Sequence, residues 1–338
     1  MGETFDIQPS PTNLEPVFIA GPTAVGKSAV ALALAEKAGG EIISVDSMQV
    51  YRGLDIGTAK PTGAERARVP HHLIDICDLR EAFDAAQFVE RARRAMAEIQ
   101  ARGRRPVLCG GTGFYFTALL EGLGHAPPRD HALRAELTAT PLEQLLAELQ
   151  TQDPATFQQI DRQNPRRVIR AVEVIRLTGR KFSEQRSAWT GDSKDAQRTG
   201  DSVGSASAEP MSDVENVRFL CLTRAPADLH RRIEVRVDEM FARGLVEETR
   251  RLLDQGLPGN ETAMQAIGYR QVVEHLRGER GLSETIQLVK SRTRQFAKRQ
   301  LTWLRRRSRG RWLELCPDES VAETLERIAA LPAGPQGS

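Results

Sequence analysis

An eight-residue segment near the start of the chain constrains the fold more than any other feature of the sequence. Residues 21–28 read GPTAVGKS and match the phosphate-loop pattern G-x-x-x-x-G-K-S/T. The segment follows an apolar run at residues 17–20 and precedes an Ala- and Leu-rich stretch at residues 29–38, which predicts a strand, a loop and a helix in succession. Backbone N–H groups of such a loop bind the phosphates of a diphosphate or triphosphate. The segment therefore predicts phosphate binding, and it leaves the identity of the phosphate compound open.

The rest of the chain supplies the strands and helices that a phosphate loop requires. Short apolar runs alternate with helical patterns, such as the one at residues 84–102. This alternation predicts a parallel sheet flanked by helices, which is a P-loop NTPase-like α/β fold. Besides residues 17–20, strands are expected at residues 42–45, 73–76, 107–109, 217–222 and 312–315.

The alternation ends after Leu123, and this change predicts a second domain. Only helical patterns follow as far as about residue 188, so we expect an all-helical domain inserted into the α/β core. The next segment is rich in Gly, Ser, Asp and Ala, which is typical of a flexible linker. The expected organisation is a discontinuous catalytic core with C-terminal helices, a helical insertion, a flexible linker and two tails, at residues 15–124 with 216–330, 125–189, 190–215, and 1–14 with 331–338.

The overall composition excludes several classes of protein. No apolar run is long enough to span a bilayer or to form a secretion signal, so no membrane partner is expected. The four cysteines lie far apart and form no CxxC pair, which favours reduced thiols over disulfides or a zinc site. We therefore expect a cytoplasmic enzyme, and we expect it to be a monomer.

Two segments that follow predicted strands supply candidate catalytic groups beside the phosphate loop. Asp46 follows the strand at residues 42–45, at the carboxyl edge of the sheet where such folds bind ligands. It is a candidate general base or metal-associated carboxylate, and a turn aspartate is the simpler alternative. Residues 110–113 read GGTG. These glycines permit close approach of a ligand, and Thr112 is the side chain there that can hydrogen-bond to it.

Four other side chains are candidates for binding phosphate. Lys27 supplies a cation within the loop, and Ser28 supplies a hydroxyl for Mg²⁺. Arg232 and Arg236 lie four residues apart, so they project from one helical face and can reach a diphosphate. An ordinary solvated helix face explains these two arginines equally well.

The positive charge of the chain is concentrated near its C-terminal end. Residues 290–311 contain ten Lys and Arg residues and no acidic residue, whereas residues 1–125 carry a formal net charge of −2. Apolar residues recur within this run at helical spacing, which predicts a helix that is packed on one side and basic on the other. Such a face favours a polyanionic partner, and it is compatible with binding a phosphate backbone.

Several longer motifs resemble those of one known family. Beside the phosphate loop, they are SVDSMQVYRGLDIGTAKP (44–61), PHHLIDI (70–76), GGTGFY (110–115), GYRQ (268–271) and TRQFAKRQLTWLR (293–305). In this order they resemble the tRNA dimethylallyltransferases, also called isopentenyl-tRNA transferases. The resemblance covers roughly residues 15–315. Because no Cys/His zinc-finger tail follows the core, the chain resembles the bacterial form of the family.

The resemblance implies a reaction. Members of the family transfer the dimethylallyl group of dimethylallyl diphosphate to N6 of adenine 37, which is adjacent to the anticodon, in tRNAs that read codons beginning with U. Diphosphate is released. By resemblance, Asp46 is the general base, Thr112 lines the tunnel in which adenine meets the donor, and Arg236 binds diphosphate with Arg232 as its companion. The diphosphate and Mg²⁺ are held by the phosphate loop, which consists of Gly21, Pro22, Thr23, Ala24, Val25, Gly26, Lys27 and Ser28.

The resemblance also implies a set of tRNA contacts spread over the chain. The matching positions are Asp46, Ser47, Met48, Gln49, Thr112, Arg134, Arg166, Arg167, Arg170, Gln265, Gly268, Tyr269, Arg270, Arg292, Arg294, Gln295, Lys298 and Arg299. The expected partners are therefore the anticodon stem-loop of tRNA and dimethylallyl diphosphate, with Mg²⁺ as cofactor.

Three other functions explain part of the sequence. A small-molecule kinase accounts for the phosphate loop and Asp46, but it leaves the basic segment without a role. A prenyltransferase acting on free adenine nucleotides keeps the chemistry and changes the acceptor. A pure RNA-binding module does not explain the phosphate loop. Salt separates these alternatives, because binding through many phosphates weakens steeply as the salt concentration rises.

Overall fold

The computed structural model describes residues 14–123, 127, 130–185, 218–307 and 310–331. The chain divides into two compact units, an α/β unit of residues 1–120 with 211–338 and a helical unit of residues 121–210. The linker expected at residues 190–215 lies outside the described residues. Most of the two expected tails lies outside them as well.

The α/β unit is built on a six-stranded sheet in the order β3-β2-β4-β1-β5-β6. All five neighbouring pairs are parallel. The strands are β1 (Val17–Ala20), β2 (Gly40–Val45), β3 (His71–His72), β4 (Arg105–Gly110), β5 (Arg218–Thr223) and β6 (Arg311–Glu314). Every residue of β1, β2 and β4 is buried, as expected for central strands covered on both faces. The P-loop NTPase-like α/β fold predicted from the sequence is confirmed.

The strand predicted at residues 73–76 is wrong. The structure instead places a two-residue strand, β3, immediately before that segment, where it pairs with Ile42 and Ile43 of β2. Leu73 and Asp75 adopt positive φ angles of 60° and 57°, which are incompatible with an extended strand. Leu73 is nevertheless buried, so its apolar character reflects packing of an irregular segment.

Four helices accompany the first half of the sheet. They are α1 (Lys27–Ala38), α2 (Gly63–Arg68), α3 (Ala85–Ala101) and α4 (Gly113–Glu121). Helix α1 begins directly at the phosphate loop, after Gly26 at a φ of 107°. Helix α3 begins at a capping box in which Asp84 accepts hydrogen bonds from the backbone N–H groups of Ala86 and Gln87.

The helical unit contains no strand among its described residues. Its helices are α5 (His131–Ala139), α6 (Leu142–Gln152), α7 (Pro154–Gln159), α8 (Pro165–Thr178) and α9 (Phe182–Gln185). Leu137, Leu145, Leu149, Val168 and Val172 form the centre of a small apolar core. These residues recur at helical spacing, which is the pattern that predicts amphipathic helices.

Five further helices complete the α/β unit. They are α10 (Pro226–Ala242), α11 (Leu245–Asp254), α12 (Tyr269–Leu276), α13 (Leu282–Arg307) and α14 (Val321–Ala329). Leu229, Ile233 and Val237 of α10 are buried in the same core as Val289 and Ala297 of α13. Within the described ranges, no helix combines the length and the apolar character needed to cross a bilayer.

Candidate active site

The phosphate loop lies between the end of β1 and the start of α1, and its backbone is bent at two positions. Gly26 and Ala24 both have positive φ, 107° and 64°. Glycine adopts this conformation freely, whereas a residue with a side chain loses roughly 1–2 kcal/mol in it. The Nε of Arg232 donates a hydrogen bond of 2.9 Å to the carbonyl of Ala24. This bond helps to hold the loop in its bent form.

A second arginine, Arg224, also contacts the phosphate loop. It was not predicted as a site residue from the sequence. Its Nε donates to the carbonyl of Val25 at 2.8 Å. Its Nη1 donates to the carboxylate of Asp228 at 2.9 Å and to the carbonyl of Cys316 at 2.8 Å. Arg224 directly follows β5, so its position at the carboxyl edge of the sheet was the available signal. Because its described bonds go to protein groups, its role is to shape the loop.

A cavity of about 400 Å³ opens between the phosphate loop and α10. Lys27, Ser28, Arg232 and Arg236 line it, with Glu239 also contributing to the wall. Burial lowers the pKa of Lys27 and that of Arg236, and the nearby Asp46 carboxylate partly opposes both shifts. Among the described residues, neither Lys27 nor Arg236 forms an ion pair. A cavity lined by cations that are desolvated and lack a direct counter-charge is suited to a diphosphate.

The carboxylate of Asp46 follows β2 beside this cavity. Its Oδ1 accepts hydrogen bonds from the backbone N–H groups of Met48 at 2.8 Å and Gln49 at 3.3 Å. Within the described part of the chain, its Oδ2 accepts none. Oδ1 therefore fixes the orientation of the side chain through a local turn, and Oδ2 remains available to receive a proton. The structure brings Asp46 together with Lys27 and Arg236, as the sequence predicted.

Thr112 lies at the same edge, between β4 and α4. Its Oγ1 accepts a hydrogen bond of 3.2 Å from the backbone N–H of Ser47, and its own N–H donates to the carbonyl of Val45 at 3.3 Å. A threonine hydroxyl that accepts one bond still has its own hydrogen to donate. Thr112 is thus tied to the segment that carries Asp46, and its hydroxyl can serve a ligand.

The glycines around Thr112 are closely packed against other parts of the protein. A Cβ atom on Gly110 would lie 2.0 Å from the carbonyl oxygen of Val45. On Gly111 it would lie 2.2 Å from Nε2 of Gln300, and on Gly113 it would lie 2.1 Å from the ring of Trp303. Backbone atoms at Gly110 and an indole ring at Gly113 therefore exclude a side chain, whereas the neighbour of Gly111 is the flexible end of Gln300. The prediction that these glycines permit close approach of a ligand stays a prediction.

The residues predicted to contact tRNA fall into four groups. Ser47, Met48 and Gln49 are partly buried beside Asp46. Gln49 also has an internal role, because its Nε2 donates to the carbonyl of Thr58 at 3.1 Å. Gln265 and Arg270 lie at the surface around the start of α12.

In the helical unit, the four predicted arginines differ in exposure. Arg166 and Arg167 are exposed at the start of α8. Arg134 and Arg170 are partly buried and both pair with the carboxylate of Glu173, at 3.5 and 2.8 Å. Arg166 and Arg167 therefore have their charge at the surface, whereas Arg134 and Arg170 stabilise the buried carboxylate of Glu173.

Tyr269 and Gly268 are buried, which corrects their expected role. The hydroxyl of Tyr269 accepts a hydrogen bond of 3.0 Å from the backbone N–H of Gly57 and donates to Glu248. Burial and the adjacent Glu248 carboxylate raise the pKa of Tyr269. In this structure the side chain of Tyr269 offers no surface to RNA, and it instead holds the loop of the DIGTAKP motif.

Helix α13 has the two-sided character predicted from the sequence. Val289, Ala297 and Leu304 are buried. The side chains of Arg292, Gln295, Lys298 and Arg299 are exposed, and these four residues are the exposed part of the predicted tRNA-contacting set on α13. Helix α10 neutralises part of the charge, because Glu234 pairs with Arg294 at 2.9 Å and Asp238 pairs with Lys290 at 2.8 Å.

The fold and the site together define a phosphate-loop protein with a cavity lined by cationic side chains. Comparisons with known proteins give the family. The IPP transferase family model matches residues 49–307. The tRNA dimethylallyltransferase of Geobacter metallireducens is 47% identical over 302 residues, which cover 88% of this chain and 92% of that protein. That of Thermomicrobium roseum is 45% identical over 318 residues, covering 92% and 90%.

Solved structures agree with these sequence comparisons. The tRNA isopentenylpyrophosphate transferase of Bacillus halodurans has a TM-score of 0.64 at 38% identity, covering 94% of this chain and 96% of that one. A eukaryotic dimethylallyltransferase acting on tRNA has a TM-score of 0.71 at 28% identity, covering 89% and 74%. The chain belongs to the IPP transferase family and is a prenyltransferase.

Proposed function

We propose that this enzyme transfers the dimethylallyl group of dimethylallyl diphosphate to N6 of adenine 37, next to the anticodon, in tRNAs that read codons beginning with U. The observation that carries the proposal is the position of the Asp46 carboxylate beside the cationic cavity of Lys27 and Arg236. The relatives named above are tRNA dimethylallyltransferases, which supports both the donor and the acceptor.

The diphosphate of the donor binds in the cavity between the phosphate loop and α10. Backbone N–H groups at the start of α1 and the side chains of Lys27 and Arg236 compensate its charge. Arg232 donates to Ala24 through Nε, so the other N–H groups of its guanidinium are free to reach the diphosphate. Compensation of this charge matters most as the C–O bond breaks, because negative charge then builds up on the leaving group.

The acceptor amine requires a general base that accepts its proton. The lone pair of an adenine amine is delocalised into the ring, so the amine is a weak nucleophile. As the N6–C1 bond forms and the C1–O bond breaks, the electron pair of the C1–O bond leaves with the diphosphate. One N6 proton passes to Oδ2 of Asp46, which the described residues leave without a hydrogen bond. Thr112 is placed to orient the adenine through its hydroxyl.

The residues at the cavity fit a magnesium ion. Ser28 is exposed on the cavity wall at the first turn of α1, where its hydroxyl can reach an ion bound to a diphosphate. In the described part of the chain there is no group of three or more His, Cys, Asp or Glu residues that could hold a metal. This suits Mg²⁺, which usually keeps several waters and is bound through few protein ligands together with substrate phosphates. When bound, Mg²⁺ would supply further positive charge to the departing diphosphate.

The tRNA needs a binding surface separate from the chemistry, because its target base must leave the stack to be reached. Arg292, Lys298 and Arg299 on α13 provide such a surface in the α/β unit, and Arg166 and Arg167 provide one in the helical unit. We propose that these residues bind the backbone of the anticodon stem-loop. We also propose that the enzyme acts as a monomer in the cytoplasm, where its tRNA substrate is found.

The test is an incubation of the purified protein with Mg²⁺, radiolabelled dimethylallyl diphosphate and unmodified tRNA that carries adenine 37. Label that enters the RNA and migrates with N6-modified adenosine after digestion supports donor, acceptor and reaction together. Transfer to AMP or ADP alone would assign a free nucleotide as the acceptor. Absence of transfer by the folded protein would contradict the proposal.

A further inference from the structure

The side chain of Gln300 connects two parts of the candidate active site. Gln300 is buried on α13, the helix that carries the exposed basic face. Its Oε1 accepts a hydrogen bond of 2.9 Å from the backbone N–H of Thr23 in the phosphate loop. Its Nε2 donates a bond of 2.9 Å to the carbonyl of Gly111, the residue before Thr112. One amide group therefore joins the diphosphate-binding loop to the turn where the acceptor reacts.

The surroundings of Gln300 are shaped for an amide of this length. A Cβ atom on Gly111 would lie 2.2 Å from Nε2, so only glycine leaves room for it. The neighbouring Trp303, three residues further along the helix, fills the corresponding space above Gly113. Among side chains of similar length, only glutamine offers both an acceptor and a donor. Glutamate has no donor when ionised, and methionine offers neither a strong donor nor a strong acceptor.

The position of this amide matters for a reaction between two bound substrates. The phosphate loop follows β1 and the Gly111–Thr112 turn follows β4, and both lie beyond the last paired residues of these two strands, Ala20 and Gly110. The hydrogen bonds between β1 and β4 therefore end before these two segments. The distance between the segments determines how the two bound substrates are placed relative to each other. Misplacement of reacting groups by about 1 Å can reduce a rate on the order of 10²-fold.

We propose that Gln300 is a positioning residue. It sets the distance between the diphosphate held by the phosphate loop and the adenine held beside Asp46 and Thr112, and it anchors both segments to the helix that binds tRNA. This inference rests on the proposed function for its chemistry. The amide bridge itself concerns the arrangement of the protein, and it can be tested without tRNA.

The experiment compares Gln300→Met, which removes both hydrogen bonds at similar length, with Gln300→Glu, which keeps only the acceptor for Thr23. Gln287→Met, at an exposed position of the same helix, is the matched control. Single-turnover transfer to tRNA, the dissociation constant for tRNA and the hydrogen exchange of the Thr23 amide are measured for each folded variant.

The expected result is a split between rate and binding. Gln300→Met should reduce the single-turnover rate by about 10- to 100-fold, change tRNA affinity by less than about twofold, and accelerate exchange at Thr23. Gln300→Glu should keep most of the protection at Thr23 and still lose rate, because a carboxylate oxygen then faces the carbonyl of Gly111. Gln287→Met should match the wild type in all three measurements.

Two results would overturn the proposal. The first is a wild-type rate in either folded Gln300 variant, and the second is a loss of rate in Gln300→Met without faster exchange at Thr23. If Gln300→Met does not fold, Gln300→Glu decides alone: a wild-type rate overturns the proposal, and a reduced rate with protection at Thr23 retained supports it. If the wild-type protein does not modify tRNA, the proposed function fails. In that case, exchange at Thr23 and affinity for inorganic pyrophosphate in Gln300→Met still decide whether the bridge shapes the loop.

Discussion

The two units of the molecule treat buried charge in opposite ways. In the helical unit, the fully buried carboxylate of Glu173 pairs with Arg134 and Arg170, and it also accepts a hydrogen bond from the backbone N–H of Asp130. In the cavity of the α/β unit, Lys27 and Arg236 have lowered pKa values because of burial, and neither forms an ion pair within the described residues.

The difference separates charges that build the fold from charges that bind a ligand. A buried acid that meets its counter-charges inside the protein has its charge compensated by the fold, and removal of one partner of such a group is destabilising. Desolvated cations without a direct counter-charge reduce stability, and a chain keeps them where a bound anion compensates for the loss.

The largest effect is expected from Asp46→Asn. The amide keeps an oxygen that can accept the bonds from Met48 and Gln49, so the local turn should persist while the base is lost. We expect the single-turnover rate of transfer to fall by about 10²- to 10⁴-fold with donor binding retained. Radiolabel transfer and titration with the donor measure the two quantities. A rate near that of the wild type would remove Asp46 from the role of general base.

The second prediction concerns the cations of the cavity. Lys27→Met should weaken binding of inorganic pyrophosphate by about 10²-fold, because a desolvated cation contributes more to anion binding than an exposed one. Lys37→Met, at an exposed position of the same helix, is the control and should have little effect. Calorimetric titration measures both affinities, and equal losses in the two variants would contradict the role of Lys27 as a cation of the cavity.

The pH dependence of the same binding gives an independent check on Lys27. Because burial lowers its pKa below the ordinary value of 10.5, the free protein should lose the positive charge as the pH rises towards that value. Affinity for pyrophosphate should therefore fall as the pH rises towards 10.5, and Lys27→Arg should bind with less dependence on pH. An affinity that is flat up to pH 10.5 in the wild type would argue against a lowered pKa.

The third prediction extends the comparison to surface charge on α13. The double reversal Lys298→Glu with Arg299→Glu should raise the KM for tRNA by about tenfold or more and lower kcat less, since these exposed residues are proposed to bind backbone phosphates. The salt dependence of tRNA binding should also become shallower by about two in log–log slope. Reversal of Arg250 and Arg251 to glutamate, exposed on α11, matches the change in charge and should alter KM much less.

The fourth prediction concerns Glu173, the buried acid of the helical unit that is paired with two arginines. Glu173→Gln should lower the free energy of unfolding by about 2 kcal/mol, because the two partly buried arginines lose their counter-charge. Pyrophosphate affinity should stay unchanged. Glu143→Gln, at an exposed position in the first turn of α6, should be nearly neutral for stability. Denaturant unfolding followed by circular dichroism distinguishes the two variants.

The smallest effect is expected from Asp153, which caps α7. Burial alone would raise the pKa of this carboxylate, but hydrogen bonds from Thr156 and Ser183 outweigh burial and hold the pKa below its ordinary value of 3.8. The resulting stabilisation is present above pH 3.8 and is lost as the pH falls through the lowered pKa. Asp153→Asn should therefore flatten the acid side of the stability curve. An unchanged slope below pH 3.8 would contradict this role.

Local patterns in the sequence predicted most of the fold and placed Asp46 at the carboxyl edge of the sheet. The phosphate loop and five of the six strands follow from short-range apolar and glycine patterns, because these patterns report burial and local backbone shape. The strand predicted at residues 73–76 was wrong because burial of Leu73 does not reveal its positive φ.

Such local patterns could not predict contacts between residues that lie far apart in the sequence. Arg224 and Gln300 act on the phosphate loop from positions about 200 and 277 residues away in sequence, and no local spacing indicates either contact. The same limitation applies to the packing of the GGTG segment, since the groups that lie against Gly111 and Gly113 come from α13. The identity of a residue indicates which bonds it can form, whereas the partner depends on the fold.

The separation of 277 residues between Thr23 and Gln300 also has a consequence for synthesis of the protein. At translation rates of roughly 5–20 residues per second, the loop is synthesised some 14–55 s before the glutamine that fixes it. A nascent chain therefore carries its phosphate-binding motif for most of its synthesis without the contact that completes it. Such a chain cannot assemble its active site until nearly all of it has been translated, so incomplete or truncated products should be inactive. Because its closing contacts join distant segments, the catalytic unit should also fold slowly compared with the helical unit.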